Sequence, residues 1–194
     1  MEIASLITGP VGVNTYIVYG KNKGECIVID PSDTELVNKK LNQLDVKPTA
    51  VLLTHGHFDH IVSVADIQRQ YNARVYIHEI DEPGLRDPKV NLCDMAHIAI
   101  PPCHADVKLK GGETVHESGF DIKVISTPGH TKGSLSYAIE DNGRKVLFRP
   151  SSLPFCIVTA ISAQASLPLM VISSFAKNSR SSSAISAVYS ALLL

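Results

Sequence analysis

The sequence predicts an α/β fold of the α+β type, in which two β-sheets form a sandwich that helices cover. Short runs rich in Val, Ile and Leu alternate along the chain with stretches of helical periodicity. Hairpins occur together with helical crossovers, and this mixture is typical of layered sheets and helices. At 194 residues, the chain is long enough for one domain with a substantial core.

The individual elements follow from the spacing of the apolar residues. In the first predicted helix, Val37, Leu41 and Leu44 recur at the i, i+4, i+7 spacing of one helical face. Ser32 or Asp33 can cap its first turn. Helices are predicted near residues 34–44 and 61–71. Strands are predicted near residues 3–7, 14–19, 25–30, 49–54, 74–78, 121–126, 135–139 and 145–148.

One cluster, Thr54-His55-Gly56-His57-Phe58-Asp59-His60, carries most of the functional information. An apolar run at 50–53 precedes it, and a helical pattern follows it. Three imidazoles and a carboxylate in so short a stretch serve no packing purpose. They are, however, ligands that Zn²⁺, Fe²⁺ and Mn²⁺ share. The cluster therefore predicts a metal site.

The spacing within this cluster predicts how its ligands divide. Side chains two positions apart on an extended segment point the same way, so His55 and His57 can hold one ion where the chain leaves the strand. Asp59 and His60 follow at the turn into the helix, so their side chains point in a different direction from those of His55 and His57. Gly56 removes a side chain where the backbone bends around the ion. This division favours a pair of metals over a single ion.

A second histidine motif, Ser126-Thr127-Pro128-Gly129-His130-Thr131-Lys132-Gly133-Ser134, lies between two further strand patterns. Its Pro-Gly pair indicates a tight turn that presents His130 at the end of a strand. Together with the first cluster, His130 is expected to be the third ligand of the first metal. Thr131 and Ser134 either orient ligands through hydrogen bonds or serve only the chemistry of the turn.

The two motifs together resemble the metallo-β-lactamase fold superfamily, whose signature is His-x-His-x-Asp-His. The resemblance covers roughly residues 1–148, including the hairpin at 12–16 and the strand at 26–31. It is closest to short members that are similar to hydroxyacylglutathione hydrolase (glyoxalase II). The resemblance implies a metallo-β-lactamase-like αββα sandwich, of which the C-terminal part is incomplete in this chain.

The resemblance also implies two divalent metals, either Zn²⁺ or alternatively Fe²⁺ or Mn²⁺. The ligands carried over by position are His55, His57 and His130 for the first ion, and Asp59 and His60 for the second. The implied reaction is hydrolysis of a thioester, such as a hydroxyacylglutathione, by a metal-bound hydroxide. Such a hydroxide forms at neutral pH because a bound cation lowers the pKa of water from 15.7 to about 7. Asp59 would be the catalytic residue that orients it.

The substrate is less well determined than the chemistry. Other thioesters, lactones and phosphodiesters remain open, whereas a β-lactam is disfavoured because the chain shows no secretory signal. Asp30 ends a predicted strand just before Pro31. It either supports a ligand histidine or caps the turn at that proline.

The chain departs from the family's pattern after the strand at 145–148. There the family has a turn whose aspartate bridges the two metals, and a downstream histidine that completes the second site. Ser151 stands in place of that aspartate, and no histidine follows His130. The second metal site is therefore expected to be weak. The alternative to an active enzyme is a catalytically impaired, metal-binding remnant.

Residues 149–194 form an atypical tail after a domain predicted at 1–148. All 19 acidic residues and all 12 glycines of the chain precede this tail. It could be a membrane segment at 155–171, although a spanning helix needs about 20 apolar residues. It could also be a divergent or disordered C-terminus. Out-of-frame translation is favoured. Codons for residues 164–181 can be chosen so that a frame shifted by two bases encodes acidic residues, a turn and a charged helix, which the family would have at this place.

Composition argues against several other classes of function. A net charge of −1 gives no reason to expect a nucleic-acid partner. The first residues lack the basic segment of a secretory signal, and no membrane partner is expected. The four cysteines have no paired spacing, which suits a reducing cytoplasm. We therefore expect a cytoplasmic protein that acts on a small-molecule substrate; the oligomeric state remains open.

Overall fold

The computed structural model describes residues 1–150 and the backbone of residues 170–173. In that part of the chain, the strands are β1 (Glu2–Thr8), β2 (Val13–Tyr19), β3 (Glu25–Ile29), β4 (Lys47–Leu52), β5 (Arg74–His78), β6 (Val107–Leu109), β7 (Thr114–Glu117), β8 (Phe120–Ser126), β9 (Leu135–Asp141), β10 (Arg144–Arg149) and β11 (Met170–Ser173). The helices are α1 (Thr34–Leu44), α2 (Phe58–Ile61), α3 (Val64–Tyr71), α4 (Cys93–Ala96) and a 3-10 helix (Glu82–Leu85).

The strands form two sheets. The first sheet has the order β1-β2-β3-β4-β5-β6 and is antiparallel from β1 to β3 and parallel from β3 to β6. Helices make the parallel crossovers, with α1 between β3 and β4 and α3 between β4 and β5. The second sheet has the order β7-β8-β9-β10-β11, in which β10 and β11 are parallel and the other pairs are antiparallel.

The inner faces of the two sheets enclose the main core. In β8, Ile122 and Val124 are buried whereas Asp121 and Lys123 are exposed, so one face of this strand packs and the other meets water. Buried residues from both sheets meet in this layer, namely Tyr16, Val18, Ile27, Ile29, Leu52, Tyr76, Phe120, Ile122, Val124, Tyr137, Ile139, Val146 and Phe148.

A second core lies between the outer face of the first sheet and its helices. Val37 and Leu41 of α1 and Ile67 of α3 pack there against Val28 and Val51. The central strands are thus covered on both faces, which explains why β3 and β4 read as nearly continuous apolar runs. The predicted αββα sandwich is confirmed for the two sheets and the helical layer on the first. The prediction of a helical layer on the second sheet falls on residues that the structure does not describe.

The helix predicted at 61–71 is wrong in its start and its continuity. Helix α2 already begins at Phe58, and α3 begins only at Val64. The interruption has a cause outside the helix: the amide of Ser63 donates to the carbonyl of Pro31, which belongs to another loop, at 3.1 Å. The metal-binding motif therefore runs into a single helical turn that is separate from the long helix.

Other elements also differ from the prediction. Strand β3 ends one residue early because Asp30 adopts a left-handed conformation, with φ at 50°. The short strands β6 and β7 were not predicted. Strand β10 continues through Arg149, one residue beyond the predicted domain boundary. Apart from the backbone of β11, the predictions for the tail, including Ser151, lie outside the described residues.

Two smaller predictions concern the thiols and the membrane. Cys26, Cys93 and Cys103 are free, and burial raises the pKa of the Cys26 thiol to about 12. Cys156 lies outside the described residues. In the part of the chain that the structure describes, no helix is long and apolar enough to cross a membrane.

Candidate metal centre

The two histidine motifs meet at one edge of the sandwich. The first occupies the loop after β4 and continues into helix α2, which contains Asp59 and His60, and the second occupies the loop between β8 and β9. The amide of Leu135 donates to the carbonyl of Thr54 at 2.8 Å, so the ends of the two loops are joined directly. Strand β4 belongs to the first sheet and β8 and β9 to the second, so the packing of the two sheets makes neighbours of segments that are distant in the sequence.

Four imidazole rings cluster at this edge, with His55 in the middle. The centroid of its ring lies 4.8 Å from that of His57, 4.1 Å from that of His60 and 4.6 Å from that of His130. The Nδ1 atom of His57 lies 2.9 Å from the Nε2 atom of His130. The site residues predicted from the two motifs are therefore brought together.

The possible ligand atoms form two groups. One consists of His55, His57 and His130, and the other consists of His55, Asp59 and His60; within each group the ligand atoms lie within 4.8 Å of one another. The groups share His55, whereas the sequence-based division assigned it to the first ion alone. The site is closed on one side, where His55 and His60 are buried, and opens to solvent at His130.

His55 is held with one ring nitrogen free. Because a carboxylate only accepts hydrogen bonds, the hydroxyl of Thr54 donates to Oδ2 of Asp30, 2.7 Å away. That hydroxyl oxygen must then accept from Nδ1 of His55, at 3.0 Å. The network thus assigns the proton of His55 to Nδ1 and leaves a lone pair on Nε2.

The free Nε2 atom of His55 is a test of whether the residues fit a metal. This atom is buried and has no hydrogen-bond partner. Leaving a buried polar atom unpaired costs about 1–3 kcal/mol, so such an atom calls for an explanation. A divalent cation among three imidazoles supplies one, since each neutral ring offers a lone pair. The donor set fits a divalent metal.

The second buried ligand, His60, is oriented by the same carboxylate. Its Nδ1 atom lies 2.9 Å from Oδ2 of Asp30, and its Nε2 atom lies 3.5 Å from Oδ2 of Asp59. Burial lowers the pKa of His60, but the Asp30 carboxylate more than offsets that effect and holds the pKa above its ordinary value. Because a carboxylate only accepts hydrogen bonds, the Nδ1 atom of His60 carries the proton and donates it to Asp30, and Nε2 faces Asp59.

The other three rings are kept neutral by their surroundings. Burial, followed by the neighbouring rings, holds the pKa of His55 well below its ordinary value. Burial also lowers the pKa of His57 and of His130. Neutral imidazole is the form that binds metals, so these rings are ready to act as ligands at neutral pH.

Asp30 supports both buried histidines, His60 directly and His55 through the hydroxyl of Thr54. In addition to its contacts with the hydroxyl of Thr54 and with His60, it accepts a hydrogen bond from the amide of Thr54 at 2.8 Å. The sequence left two roles open for Asp30, support of a ligand histidine or capping of the turn at Pro31. Its contact with His60 favours the first role. The relay through the Thr54 hydroxyl was not foreseen, because a threonine at the end of a strand gives no distinctive signal.

Thr131 and Ser134 do not bond to a ligand ring. The hydroxyl of Thr131 donates to Oδ2 of Asp81 at 2.6 Å, and the Thr131 amide donates to Oγ of Ser134 at 3.0 Å. Asp81, in the loop after β5, was missed by the sequence analysis. It belongs to neither motif, and a lone aspartate in a loop carries no signal of a site.

A two-sheet sandwich with histidines and a carboxylate at one edge defines a metallo-hydrolase type of domain. The profile of the metallo-beta-lactamase superfamily matches residues 8–149. The chain belongs to this superfamily.

Two curated relatives show the range of proteins that this chain resembles. The probable metallo-hydrolase YqgX of Bacillus subtilis is 30% identical over 73% of this chain and 67% of its own length. The hydroxyacylglutathione hydrolase of Aeromonas hydrophila is 31% identical over 68% of this chain and 45% of its own length. The chain thus spans between about half and two thirds of the length of these relatives.

Two solved structures share the fold. The BLEG-1 B3 metallo-beta-lactamase superimposes with a TM-score of 0.72 at 30% identity, covering 78% of this chain and 73% of its own. TTHA1623, solved in a di-iron-bound form, superimposes with a TM-score of 0.70 at 25% identity, covering 90% of this chain and 92% of its own. The proteins that this chain resembles therefore include both a B3 metallo-beta-lactamase and a hydroxyacylglutathione hydrolase.

Proposed function

We propose that this chain is a metal-dependent hydrolase that cleaves thioesters such as hydroxyacylglutathione. The observation that carries the proposal is the pair of ligand groups at one edge of the sandwich, centred on the free Nε2 atom of His55. The small-molecule substrate and the cytoplasmic location expected from the sequence form part of this proposal.

The residues divide the work of holding the metals. His55, His57 and His130 would hold the first ion, and Asp59 and His60, whose group also includes His55, would hold the second. Divalent ions at these positions would polarise the substrate carbonyl and lower the pKa of water. Zn²⁺ and Fe²⁺ both suit the ligands, and the di-iron form of TTHA1623 favours keeping iron as a candidate.

Asp59 is proposed as the catalytic residue because of where it lies. Its side chain is only partly buried, unlike that of His60 beside it, so it can reach both the centre and the solvent. A carboxylate there can accept a hydrogen bond from an attacking water and orient its lone pair toward the carbonyl carbon. His60, by contrast, is fixed on Asp30 and serves to hold the site.

Two observations bear on the substrate. The similarity to the Aeromonas enzyme supports a glutathione thioester, while the similarity to BLEG-1 supports a β-lactam. The two groups of substrates share a carbonyl that a water must attack, so the ligand set alone does not separate them. The thioester is preferred because the sequence motifs most resemble glyoxalase II-like proteins.

A direct comparison of substrates tests the proposal. The purified, Zn²⁺-loaded chain is assayed in parallel with a lactoylglutathione-type thioester and a chromogenic cephalosporin, and His57→Ala serves as the matched inactive control. Faster hydrolysis of the thioester, abolished in the control, is the expected result. Faster hydrolysis of the cephalosporin would overturn the thioester assignment.

The second candidate is a catalytically impaired, metal-binding remnant. It is favoured by the ligands available to the second ion, since the described residues provide Asp59 and His60 together with the shared His55. Ser151 cannot supply a bridging carboxylate, and no histidine follows His130. Metal content separates the candidates: two tightly bound ions with turnover favour the enzyme, and one ion without turnover favours the remnant.

A further inference from the structure

Asp81 is a buried carboxylate that lies between the two histidine motifs. It comes from the loop after β5 and is only 6% exposed. Its two oxygens accept hydrogen bonds from the Gly56 amide, the Thr131 hydroxyl and the Gly133 amide. One side chain, itself part of neither motif, therefore bonds to both.

On the side of the first motif, Asp81 fixes the backbone between two ligands. The amide of Gly56 donates to Oδ2 of Asp81 at 3.2 Å. A Cβ atom at Gly56 would lie 2.7 Å from the carbonyl oxygen of Asp81, so only glycine permits this approach. Because Gly56 separates His55 from His57, the contact determines where the backbone turns between these two rings.

On the side of the second motif, Asp81 fixes the backbone just after His130. The Thr131 hydroxyl donates to Oδ2 at 2.6 Å, and the Gly133 amide donates to Oδ1 at 3.1 Å. A Cβ atom at Gly133 would lie 2.5 Å from Oδ1, which again requires glycine. Since the Thr131 proton goes to Asp81, the hydroxyl of Ser134 donates to Thr131 Oγ1 at 2.8 Å and extends the network.

We propose that Asp81 is a positioning residue that clamps the two histidine loops together, so that His57 and His130 meet at one metal ion. This inference rests on the proposed metal-dependent function, because it concerns the same site. The buried ligands, His55 and His60, are anchored by Asp30. Among the residues that the structure describes, the rings of the more exposed pair, His57 and His130, bond to each other and to no carboxylate, so their positions depend on how their loops are held.

The chemistry of the clamp requires a carboxylate. All three partners donate, and a carboxylate offers only acceptors. In Asp81→Asn, one oxygen is replaced by an amide group that donates. Whichever way the amide turns, its NH₂ faces the amide of Gly56 or that of Gly133. One loop is therefore released or pushed away, although the size of the side chain is unchanged.

The test measures metal affinity and coordination as well as activity. Zn²⁺ affinity is determined by competition with a chromophoric chelator, and the electronic spectrum of the Co²⁺-loaded protein reports the ligand geometry. We expect Asp81→Asn to bind Zn²⁺ 10- to 100-fold more weakly, the range for residues that orient ligands. We also expect an altered Co²⁺ spectrum.

A matched pair at Thr131 isolates one contact of the clamp. Thr131→Val keeps the shape of the side chain but removes the donor, whereas Thr131→Ser keeps the donor. Zn²⁺ affinity should fall in Thr131→Val and be retained in Thr131→Ser.

Asp141→Asn controls for the loss of a buried carboxylate, since Asp141 bonds to Lys21 and the Met1 amine at the other end of β9. It should lower the melting temperature while leaving Zn²⁺ affinity and the Co²⁺ spectrum unchanged.

The possible outcomes separate the clamp from the site itself. If folded Asp81→Asn keeps the Zn²⁺ affinity and the Co²⁺ spectrum of the unmodified chain, the positioning role proposed for Asp81 is wrong. If that variant does not fold, equal affinities in Thr131→Val and Thr131→Ser would overturn it instead. Retention of tight Zn²⁺ binding in His57→Ala would show that the proposed metal site, and not only the clamp, is wrong.

Discussion

The carboxylate of Asp30 lies 2.9 Å from Nδ1 of His60, and both side chains are buried. Through the hydroxyl of Thr54, the same carboxylate also determines the tautomer of His55. One anionic group thus directs the free nitrogens of two buried imidazoles. Asp30 does this from a left-handed backbone conformation that costs free energy for a residue other than glycine, and the three hydrogen bonds of its carboxylate help to hold it there.

Replacing this carboxylate by an amide should weaken metal binding. In Asp30→Asn, the NH₂ group faces either the Thr54 amide or the pair formed by the Thr54 hydroxyl and His60. In the second case, the Thr54 hydroxyl can donate to His55, and the proton of that ring moves to Nε2, where a metal would bind. We expect Zn²⁺ affinity to fall 10- to 100-fold, measured by chelator competition. Unchanged affinity would contradict the role given to Asp30.

The first metal site should depend on His57. This residue provides one of three imidazoles in the first group, and loss of one ligand from a three-histidine site removes much of its affinity. His57→Ala should therefore abolish tight metal binding, as measured by metal analysis after dialysis against a weak chelator. His116→Ala, which removes an exposed histidine from β7, is the matched control and should keep its metal. One tight equivalent remaining in His57→Ala would show that the assignment of ligands is wrong.

The part of the site that is local in sequence could be predicted. His55, His57, Asp59 and His60 lie within one short motif, and His130 lies in a recognisable turn between two strands. The fold was predictable for a similar reason, since apolar periodicity marks the strands and the first helix. These features depend on residues that are near one another in the chain.

The sequence offered Asp30 as a possible support for a ligand histidine, but the role of Asp81 could not be predicted because its partners are distant in the chain. Asp81 meets Gly56 and Thr131 only after β5, β8 and β9 are in place. The break between α2 and α3 likewise depends on the carbonyl of Pro31, which reaches Ser63 from another loop. Strands β6 and β7 were missed because they are only three and four residues long.

The ion pairs of Glu82 should make the metal-free protein sensitive to acid. Hydrogen bonds from Arg86 and Lys108 hold the pKa of this buried carboxylate below its ordinary value of 4.5. A lowered pKa contributes stability that is present above the unfolded value and is lost as the pH falls through the folded pKa. Glu82→Gln should therefore reduce the free energy of unfolding at pH 7 by about 1 kcal/mol, because both basic partners are half exposed and screened by water.

The measurement for Glu82 is urea denaturation of the apoprotein between pH 7 and pH 3. The difference between Glu82→Gln and the unmodified chain should shrink as the pH falls below about 4.5, the ordinary pKa of a glutamate. Glu140→Gln is a suitable control, because Glu140 is exposed and its ion pair with Lys145 lies at the surface. A difference that stays constant across this pH range would contradict the proposed ion-pair contribution.

Restoring the reading frame after Phe148 should restore the second metal site. Two ions close together repel each other, and a shared carboxylate offsets that repulsion. The neutral hydroxyl of Ser151 cannot do so, and the tail that follows contains no histidine. The chain as it stands is therefore expected to bind its second ion weakly, to turn over slowly and to expose apolar residues that promote aggregation.

The comparison needs three proteins: the chain as given, a version with the frame restored, and Ser151→Asp. The restored version should gain soluble yield, a second metal per chain and thioesterase activity together. Ser151→Asp alone should gain part of the second-metal affinity, because it returns the missing negative charge but not the downstream histidine. If the chain as given already binds two metals and turns over as fast as the restored version, both the frameshift interpretation and the weak second site are wrong.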